Sequence, residues 1–94
     1  MTTVNDVLGF IETLAPLEYV TIVLNNKGDL VADVQQRLKD LGYLSGTADG
    51  DFGAATEAAV KAFQAQNGLT SDGIAGAYTQ QALYSPDAVA APSR

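Results

Sequence analysis

The side chains best suited to chemistry in this sequence are acidic, and they cluster where it reads DGDFGAATE. Asp49, Asp51 and Glu57 lie close together there, and a pair of carboxylates is the usual machinery for hydrolysing a glycosidic bond. Nothing in the surrounding sequence provides the apolar pocket that raises the pKa of a general acid. A turn at Asp49, solvation of Asp51 and an i,i+4 pairing of Glu57 with Lys61 account for the three residues. No catalytic residue is therefore predicted.

The residue types in the sequence do not predict a metal or cofactor site. The chain contains no cysteine and no histidine, which excludes zinc sites built from those residues as well as Ser-His and Cys-His catalysis. A calcium loop of the EF-hand type starting at Asp49 needs a bidentate Glu at its last position, where the sequence has Val60. We therefore expect no metal and no cofactor.

The charge balance narrows the classes of partner. The formal net charge is −6, and the five Lys and Arg residues are scattered along the 94 residues. Binding to nucleic acid or to an anionic membrane surface needs clustered basic residues, so neither partner is expected. No apolar run reaches the roughly 20 residues that span a bilayer. Asp6 and Glu12 interrupt the apolar N-terminal stretch, so no signal peptide is predicted in the chain as given.

One sequence motif occurs twice, as DGDFGAATEAAV from Asp49 and as DGIAGAYTQQAL from Asp72. Both copies read Asp-Gly-x-x-Gly-x-x-Thr-x-x-Ala followed by an aliphatic residue. Gly50 and Gly73 permit the positive φ of a sharp reversal, and the preceding Asp side chains can bond forward to backbone N–H groups. Each copy is therefore predicted to be a loop that starts a helix at a fixed angle.

The spacing of apolar residues predicts helices and an extended segment on either side of these loops. Residues recurring at three and four positions predict a short N-terminal helix ending before Pro16, followed by helices over about 30–41, 54–67 and 77–84. Gly42 and Gly68 stand where left-handed C-caps belong. The β-branched and aromatic stretch Tyr19 to Leu24 predicts an extended segment, which either lies against the helices or pairs with another chain.

The order of these motifs resembles the peptidoglycan-binding-like family of small three-helix domains. The resemblance is carried by V-x-x-V-Q-x-x-L-x-x-L-G-Y from Val31 to Tyr43, by the first DG motif continuing to Gln64, and by G-L-x-x-D-G-I-x-G-x-x-T from Gly68 to Thr79. Such domains accompany cell-wall hydrolases, spore-cortex enzymes and phage lysins. This sequence departs from the family where it has Ala54 and Ala77 in place of proline, and Gln80 in place of tryptophan.

The resemblance implies a mostly α, compact three-helix bundle with two DGxxGxxT loop–helix repeats. We predict an N-terminal helix and apolar extended segment over 1–26, the peptidoglycan-binding-like domain over 27–84, and a flexible tail over 85–94. The function it implies is a non-catalytic module that binds the glycan or stem peptide of bacterial cell-wall murein and anchors its carrier there. The candidate ligand-binding residues near the DG loops are Tyr43, Asp49, Phe52, Gln64, Asp72 and Tyr78.

Two alternatives remain open from the sequence. Phe52 is also suited to the core, and the amides of Gln35 and Gln64 are suited to bonding the backbone of a neighbouring loop. The whole chain is alternatively a structural or adaptor subunit of a phage tail or contractile injection particle. Its first 25 residues would then dock to other subunits through the apolar segment Tyr19, Val20, Ile22 and Leu24. The expected location is the bacterial cell envelope or such a particle.

Overall fold

A computed structural model of the chain describes residues 19–92. Three helices follow one another, α1 (Asp29–Asp40), α2 (Ala54–Gln66) and α3 (Ala77–Leu83). The described part contains isolated β-bridges but no strand, which confirms the mostly α three-helix prediction. The N-terminal helix predicted before Pro16 lies outside the described residues. Within residues 19–92, none of the helices has the length and apolarity needed to cross a membrane.

Glycines mark where the helices begin and end. Gly28, Gly53 and Gly76 occupy the N-cap positions. Gly42 and Gly68 adopt φ of 90° and 73° just beyond α1 and α2. After each of these two glycines, the next N–H bonds back to a carbonyl of the last helical turn, from Tyr43 to Leu38 and from Leu69 to Gln64, both at 2.8 Å. This is the Schellman arrangement, so the predicted left-handed C-caps are confirmed.

The core lies between the three helices and the two loops that precede α2 and α3. Apolar residues at helical spacing supply most of it, because positions three and four apart share a face. One residue before α1, one after α1 and two from the DG loops complete it. The buried apolar residues are Ile22, Val31, Val34, Leu38, Leu44, Phe52, Ala59, Val60, Phe63, Ala75 and Leu83.

The extended segment before α1, here called the crossing segment (residues 20–28), connects the two DG loops. Ile22 pairs with Ala75 of the second loop through reciprocal backbone bonds of 3.1 and 2.9 Å. Further along, Asn25 N–H donates to the Phe52 carbonyl at 2.8 Å, and Phe52 N–H donates to Asn26 at 2.9 Å. The partner of this extended stretch therefore lies within the chain itself.

This pairing and the contacts of Ile22 and Gln80 reach across the predicted boundary after residue 26. The Ile22 side chain is 2% exposed and belongs to the core. Gln80, which stands in place of the family's tryptophan, is buried and donates from Nε2 to the carbonyls of Val20 and Ala75, both at 2.7 Å. Val20 and Ile22 therefore supply backbone hydrogen-bond partners to Gln80 and to the second loop.

The residues predicted as a flexible tail are folded back on the helices in their described part. Ala91 N–H donates to Leu41 O at 2.8 Å, and Val89 N–H donates to Asn67 Oδ1 at 2.9 Å. Arg37 Nη2 donates to the carbonyl of Ser85 at 3.2 Å. These bonds attach the described part of the predicted tail, residues 85–92, to groups near the ends of α1 and α2. Its flexibility stays a prediction.

Candidate functional site

The second DG loop is held by one buried glutamine. Gln64 on α2 is 2% exposed. The two N–H groups of its Nε2 are shared among three acceptors, Asp72 Oδ1 at 2.9 Å, the Ile74 carbonyl at 3.0 Å and Thr79 Oγ1 at 3.0 Å. Its Oε1 accepts from Gly73 N–H at 2.9 Å. A single side chain therefore connects the loop to the start of α3.

The first DG loop is held in the same way by Gln35 on α1. The two N–H groups of its Nε2 are shared among Asp49 Oδ1 at 3.2 Å, the Asp51 carbonyl at 2.8 Å and Thr56 Oγ1 at 2.9 Å. Its Oε1 accepts from Gly50 N–H at 2.8 Å. The hypothesis that these two amides bond a neighbouring loop is confirmed, and the sequence repeat proves to be a repeated hydrogen-bond network.

The aspartates that open the two loops stabilise the turns as predicted. Asp49 Oδ1 accepts from Asp51 N–H at 3.0 Å, and Asp72 Oδ1 accepts from Ile74 N–H at 2.9 Å. These backbone bonds, followed by the glutamine bonds, hold the pKa of both carboxyl groups below the ordinary value. Both side chains are therefore anionic at neutral pH and present negative charge at the loops.

The glycines that follow the aspartates adopt the backbone conformation at which the chain reverses direction. Gly50 and Gly73 have φ of 81° and 77°, in the region that favours glycine. A Cβ at position 50 would also lie 3.1 Å from the carbonyl oxygen of Gly28 in the crossing segment. The prediction of positive φ at both positions is confirmed, and at the first loop the missing side chain also permits a close backbone approach.

A polar groove of about 570 Å³ lies at the first loop, here called the first groove. Lys27 of the crossing segment forms an ion pair with Asp51 on this surface. The hydrogen bond to Asp51 raises the pKa of Lys27. The residues that line the first groove are Asn25, Lys27, Gln35, Gly46, Thr47, Asp49, Asp51, Phe52, Gly53, Ala54, Ala55 and Thr56.

A smaller groove of about 290 Å³ lies at the second loop, here called the second groove. Its lining is more apolar, and Tyr78 contributes a side chain that is 79% exposed. The residues that line the second groove are Gln64, Leu69, Thr70, Asp72, Ile74, Gly76, Ala77, Tyr78 and Thr79.

The structure distributes the predicted ligand-binding residues over these grooves, with one exception. Asp49 and Phe52 line the first groove, although Phe52 is 1% exposed and serves the core. Gln64, Asp72 and Tyr78 line the second.

Tyr43 is the exception, since it lines neither groove. Its hydroxyl donates to the Val89 carbonyl, and its ring meets Phe63 edge-on at 5.5 Å. Burial raises the pKa of Tyr43. It lies in a third depression, of about 450 Å³, beside Ala91. Its nearness to the first DG motif in sequence does not bring it to either groove, because its ring packs on Phe63 and its hydroxyl bonds Val89.

The residues predicted for partner docking fall into two kinds. Ile22 is buried, whereas Val20 and Leu24 are 60% and 40% exposed and Tyr19 is partly buried. Sequence reasoning missed Asn25 and Lys27 as groove residues. No local signal could have found them, because the crossing segment reaches the first loop through backbone pairing across more than twenty residues.

The acidic residues of residues 19–92 do not assemble into a metal site. No group of three or more His, Cys, Asp or Glu side chains comes together in that part of the chain. The chemistry that the two grooves can offer is hydrogen bonding, negative charge at Asp49 and Asp72, and apolar contact at the second groove.

Comparison with known proteins places these loops in a recognised type of domain. The family model described as "Putative peptidoglycan binding domain" matches residues 27–83, more than half of the chain. The N-acetylmuramoyl-L-alanine amidase CwlM of Mycobacterium tuberculosis is 47% identical over 57 residues, which cover 61% of this chain and 14% of that enzyme. The similarity therefore concerns a small part of that relative.

Solved structures show the same architecture. The SleB N-terminal domain superimposes with a TM-score of 0.67 at 42% identity, over 68% of this chain and 88% of that one. The endolysin of Burkholderia phage AP3 gives a TM-score of 0.67 at 39% identity, over 70% of this chain and 25% of that one. Both DG loops lie inside the matched region.

Proposed function

The chain belongs to the family of peptidoglycan binding domains, and on that premise we propose that it is a non-catalytic module that anchors its carrier to murein. The observation that carries the proposal is the pair of grooves at the two DG loops, each fixed by a buried glutamine. A preformed concave surface with a few fixed polar groups is the usual form of a ligand site. Both grooves present groups that suit murein, which combines sugar rings with short peptides.

The acid–base properties of the loops support binding without hydrolysis. A glycosidase needs one carboxylic acid whose pKa is raised, so that it can protonate the leaving group. The pKa values of Asp49 and Asp72 are instead lowered by the bonds that their carboxylates accept. These two groups therefore remain anionic acceptors at neutral pH, suited to sugar hydroxyls or to the ammonium of a stem peptide.

The affinity expected from such open grooves is modest. We propose a dissociation constant in the micromolar to millimolar range, or roughly −4 to −8 kcal/mol. A carrier with several copies would hold the wall more firmly through avidity. The proposed location is the bacterial cell envelope, or a particle that approaches it.

A fusion experiment tests anchoring. The chain is joined to a fluorescent protein that has no affinity for murein, and the fusion is sedimented with insoluble, protein-free sacculi. We expect the fluorescence to follow the sacculi and to be released by an excess of the unfused chain. Fluorescence left entirely in the supernatant, with a folded fusion, would refute anchoring.

A second candidate function is a structural or adaptor subunit of a phage tail or contractile injection particle. The observation in its favour is the exposure of Val20 and Leu24 on the crossing segment, where apolar side chains face solvent. The burial of Ile22 in the core reduces the apolar surface that remains for a partner.

Sedimentation equilibrium separates the assembly role from the anchoring role. Self-association that is abolished by replacing Val20 and Leu24 with Ser would support an assembly role. A monomer at all concentrations, retained on sacculi, would leave the anchoring role alone.

A further inference from the structure

The two DG loops are held by the same set of hydrogen bonds, here called the loop frame, but they differ at two positions that face their grooves. Both frames contain the same glutamine, aspartate and threonine bonds, so equivalent positions can be compared directly. Within the repeat, Asp51 of the first copy is replaced by Ile74 in the second, and Ala55 is replaced by Tyr78. All four residues line their respective grooves.

These two replacements change the chemistry of the groove. In the first groove, Asp51 forms an ion pair with Lys27, which leaves a polar and charged surface. In the second groove, Ile74 is 43% exposed and Tyr78 is 79% exposed. Leu69 adds a partly buried aliphatic surface beside them. The second groove therefore combines an aromatic ring and aliphatic groups with the anionic Asp72.

Most of the Tyr78 side chain is exposed to solvent instead of packing in the core. A side chain that is 79% exposed contributes little to the core, and exposed aromatic residues beside a concave surface are typical of binding sites. The bonds recorded for the Asp72 carboxylate within residues 19–92 all involve Oδ1. Its second oxygen can therefore accept from a ligand without breaking the turn.

We propose that the second groove binds a sugar ring of the glycan strand, an assignment that rests on the function proposed above. The apolar C–H face of an N-acetylhexosamine packs on Tyr78 and Ile74, and a ring hydroxyl or the acetamido N–H donates to Asp72. The groove volume of about 290 Å³ lies at the small end of ligand sites and suits a single ring.

Charge favours the sugar over the stem peptide as the occupant. Stem peptides carry carboxylates as well as an ammonium, and Asp72 would attract the ammonium but repel the carboxylates at close range. The groove-lining cation, Lys27, lies in the first groove, and the lining of the second groove contains no Lys or Arg. An N-acetylhexosamine ring has no charge of its own, so it pays no such penalty at Asp72.

Backbone amide shifts in the NMR spectrum of the full chain test the assignment. One titration uses a soluble oligosaccharide of β-1,4-linked N-acetylglucosamine, and a parallel titration uses a synthetic stem peptide without sugar. We expect the oligosaccharide to shift the amides of Thr70, Ile74 and Tyr78, and the peptide to leave them in place. Shifts from the peptide at these amides, or sugar-induced shifts confined to other residues, would overturn the assignment.

Variants of exposed tyrosines sharpen the test, since they do not disturb the core. Tyr78→Ala should weaken oligosaccharide binding about tenfold, whereas Tyr78→Phe should retain it because the ring face is the contact. Tyr84→Ala, which changes a tyrosine outside the second groove, should leave the affinity unchanged. Equal affinity of Tyr78→Ala and the wild type would overturn the assignment.

Retention on sacculi distinguishes failure of this assignment from failure of the proposed function. Wild-type chain that is retained on sacculi, without oligosaccharide shifts, would refute the sugar assignment and leave wall binding in place. Absence of both retention and shifts would refute both.

Discussion

At the residue scale, two glutamines determine the shape of the candidate site. Gln35 and Gln64 are each almost completely buried, and each satisfies groups on a loop, on an aspartate and on a threonine. Buried polar groups are costly to leave unpaired, so a network of this kind stabilises the loop when it is complete and destabilises it when one member is removed.

Replacing Gln64 by Leu should therefore destabilise the protein. The apolar side chain has a similar volume but leaves Gly73 N–H and the Ile74 carbonyl without their partner, at a cost of about 2–3 kcal/mol. The measurement is the free energy of unfolding in urea. Gln66→Leu, an exposed position two residues further on the same helix, is the matched control and should change it by less than about 0.5 kcal/mol. Equal effects of the two substitutions would contradict this role for Gln64.

The two loop aspartates should make stability depend on pH in the acid range. Their pKa values in the folded protein lie below the ordinary value of 3.8. The stabilisation is thus present above that value and is lost as the pH falls through the folded-state pKa. We expect the melting temperature to fall between about pH 5 and pH 2.

Substitution by Asn tests the origin of this pH dependence, because Asn keeps an acceptor oxygen but does not titrate in this range. The double variant Asp49→Asn, Asp72→Asn should show a shallower fall in melting temperature than the wild type. Asp87→Asn, at a carboxylate outside both networks, should follow the wild type. A double variant as steep as the wild type would show that other carboxylates cause the acid sensitivity.

At the element scale, the crossing segment matters as much as the helices. It pairs with Ala75 of one loop and with Gly50 and Phe52 of the other, so both grooves depend on its position. Ile22 is the residue through which the crossing segment packs into the hydrophobic core.

Truncating that contact should be costly. Ile22→Ala removes a side chain that is 2% exposed, and we expect a loss of about 2–4 kcal/mol in the free energy of unfolding. Val20→Ala, at a position 60% exposed on the same segment, should cost less than about 0.5 kcal/mol. Calorimetry of both variants is the check. A stable Ile22→Ala protein would mean that residues before 27 are dispensable to the domain.

The reversal in the first loop should tolerate no side chain. Gly50→Ala places a Cβ at φ of 81° and 3.1 Å from the Gly28 carbonyl oxygen, so a loss of about 1–3 kcal/mol is expected. Gly46→Ala is the matched control, because no atom lies within 4 Å of its added Cβ and its φ is not in the left-handed region. Chemical denaturation of the two variants should separate them. Similar stabilities would argue against strain at position 50.

The elements differ in how far the sequence predicts them. The helices and their C-caps follow from local signals, namely the spacing of apolar residues and the positions of Gly42 and Gly68. The turns follow from Asp-Gly pairs for the same reason. Three features could not be predicted from local signals, because each depends on residues far away in the sequence. They are the pairing of Ile22 with Ala75, the packing of residues 85–92 and the position of Tyr43.

At the scale of the whole molecule, the site is a duplicated unit rather than a single pocket. Each unit consists of a glutamine on one helix, a DG loop and the start of the next helix, and each opens onto its own groove. The two units share their glutamine, aspartate and threonine bonds but differ in the residues that face the grooves. Under the proposed function, this difference lets one small domain contact two parts of a composite polymer. We propose that these two grooves bind murein.

A binding isotherm on purified sacculi tests most directly whether the two grooves bind murein. Ala54 and Ala77 are exposed, equivalent in the repeat and line the two grooves, so replacing both by Gln fills the grooves without touching the core. We predict that the wild type and Ala58→Gln, an exposed α2 position outside both grooves, bind alike, and that the double variant loses binding while remaining folded. Undiminished binding by the folded double variant, or no binding by the wild type, would contradict the account.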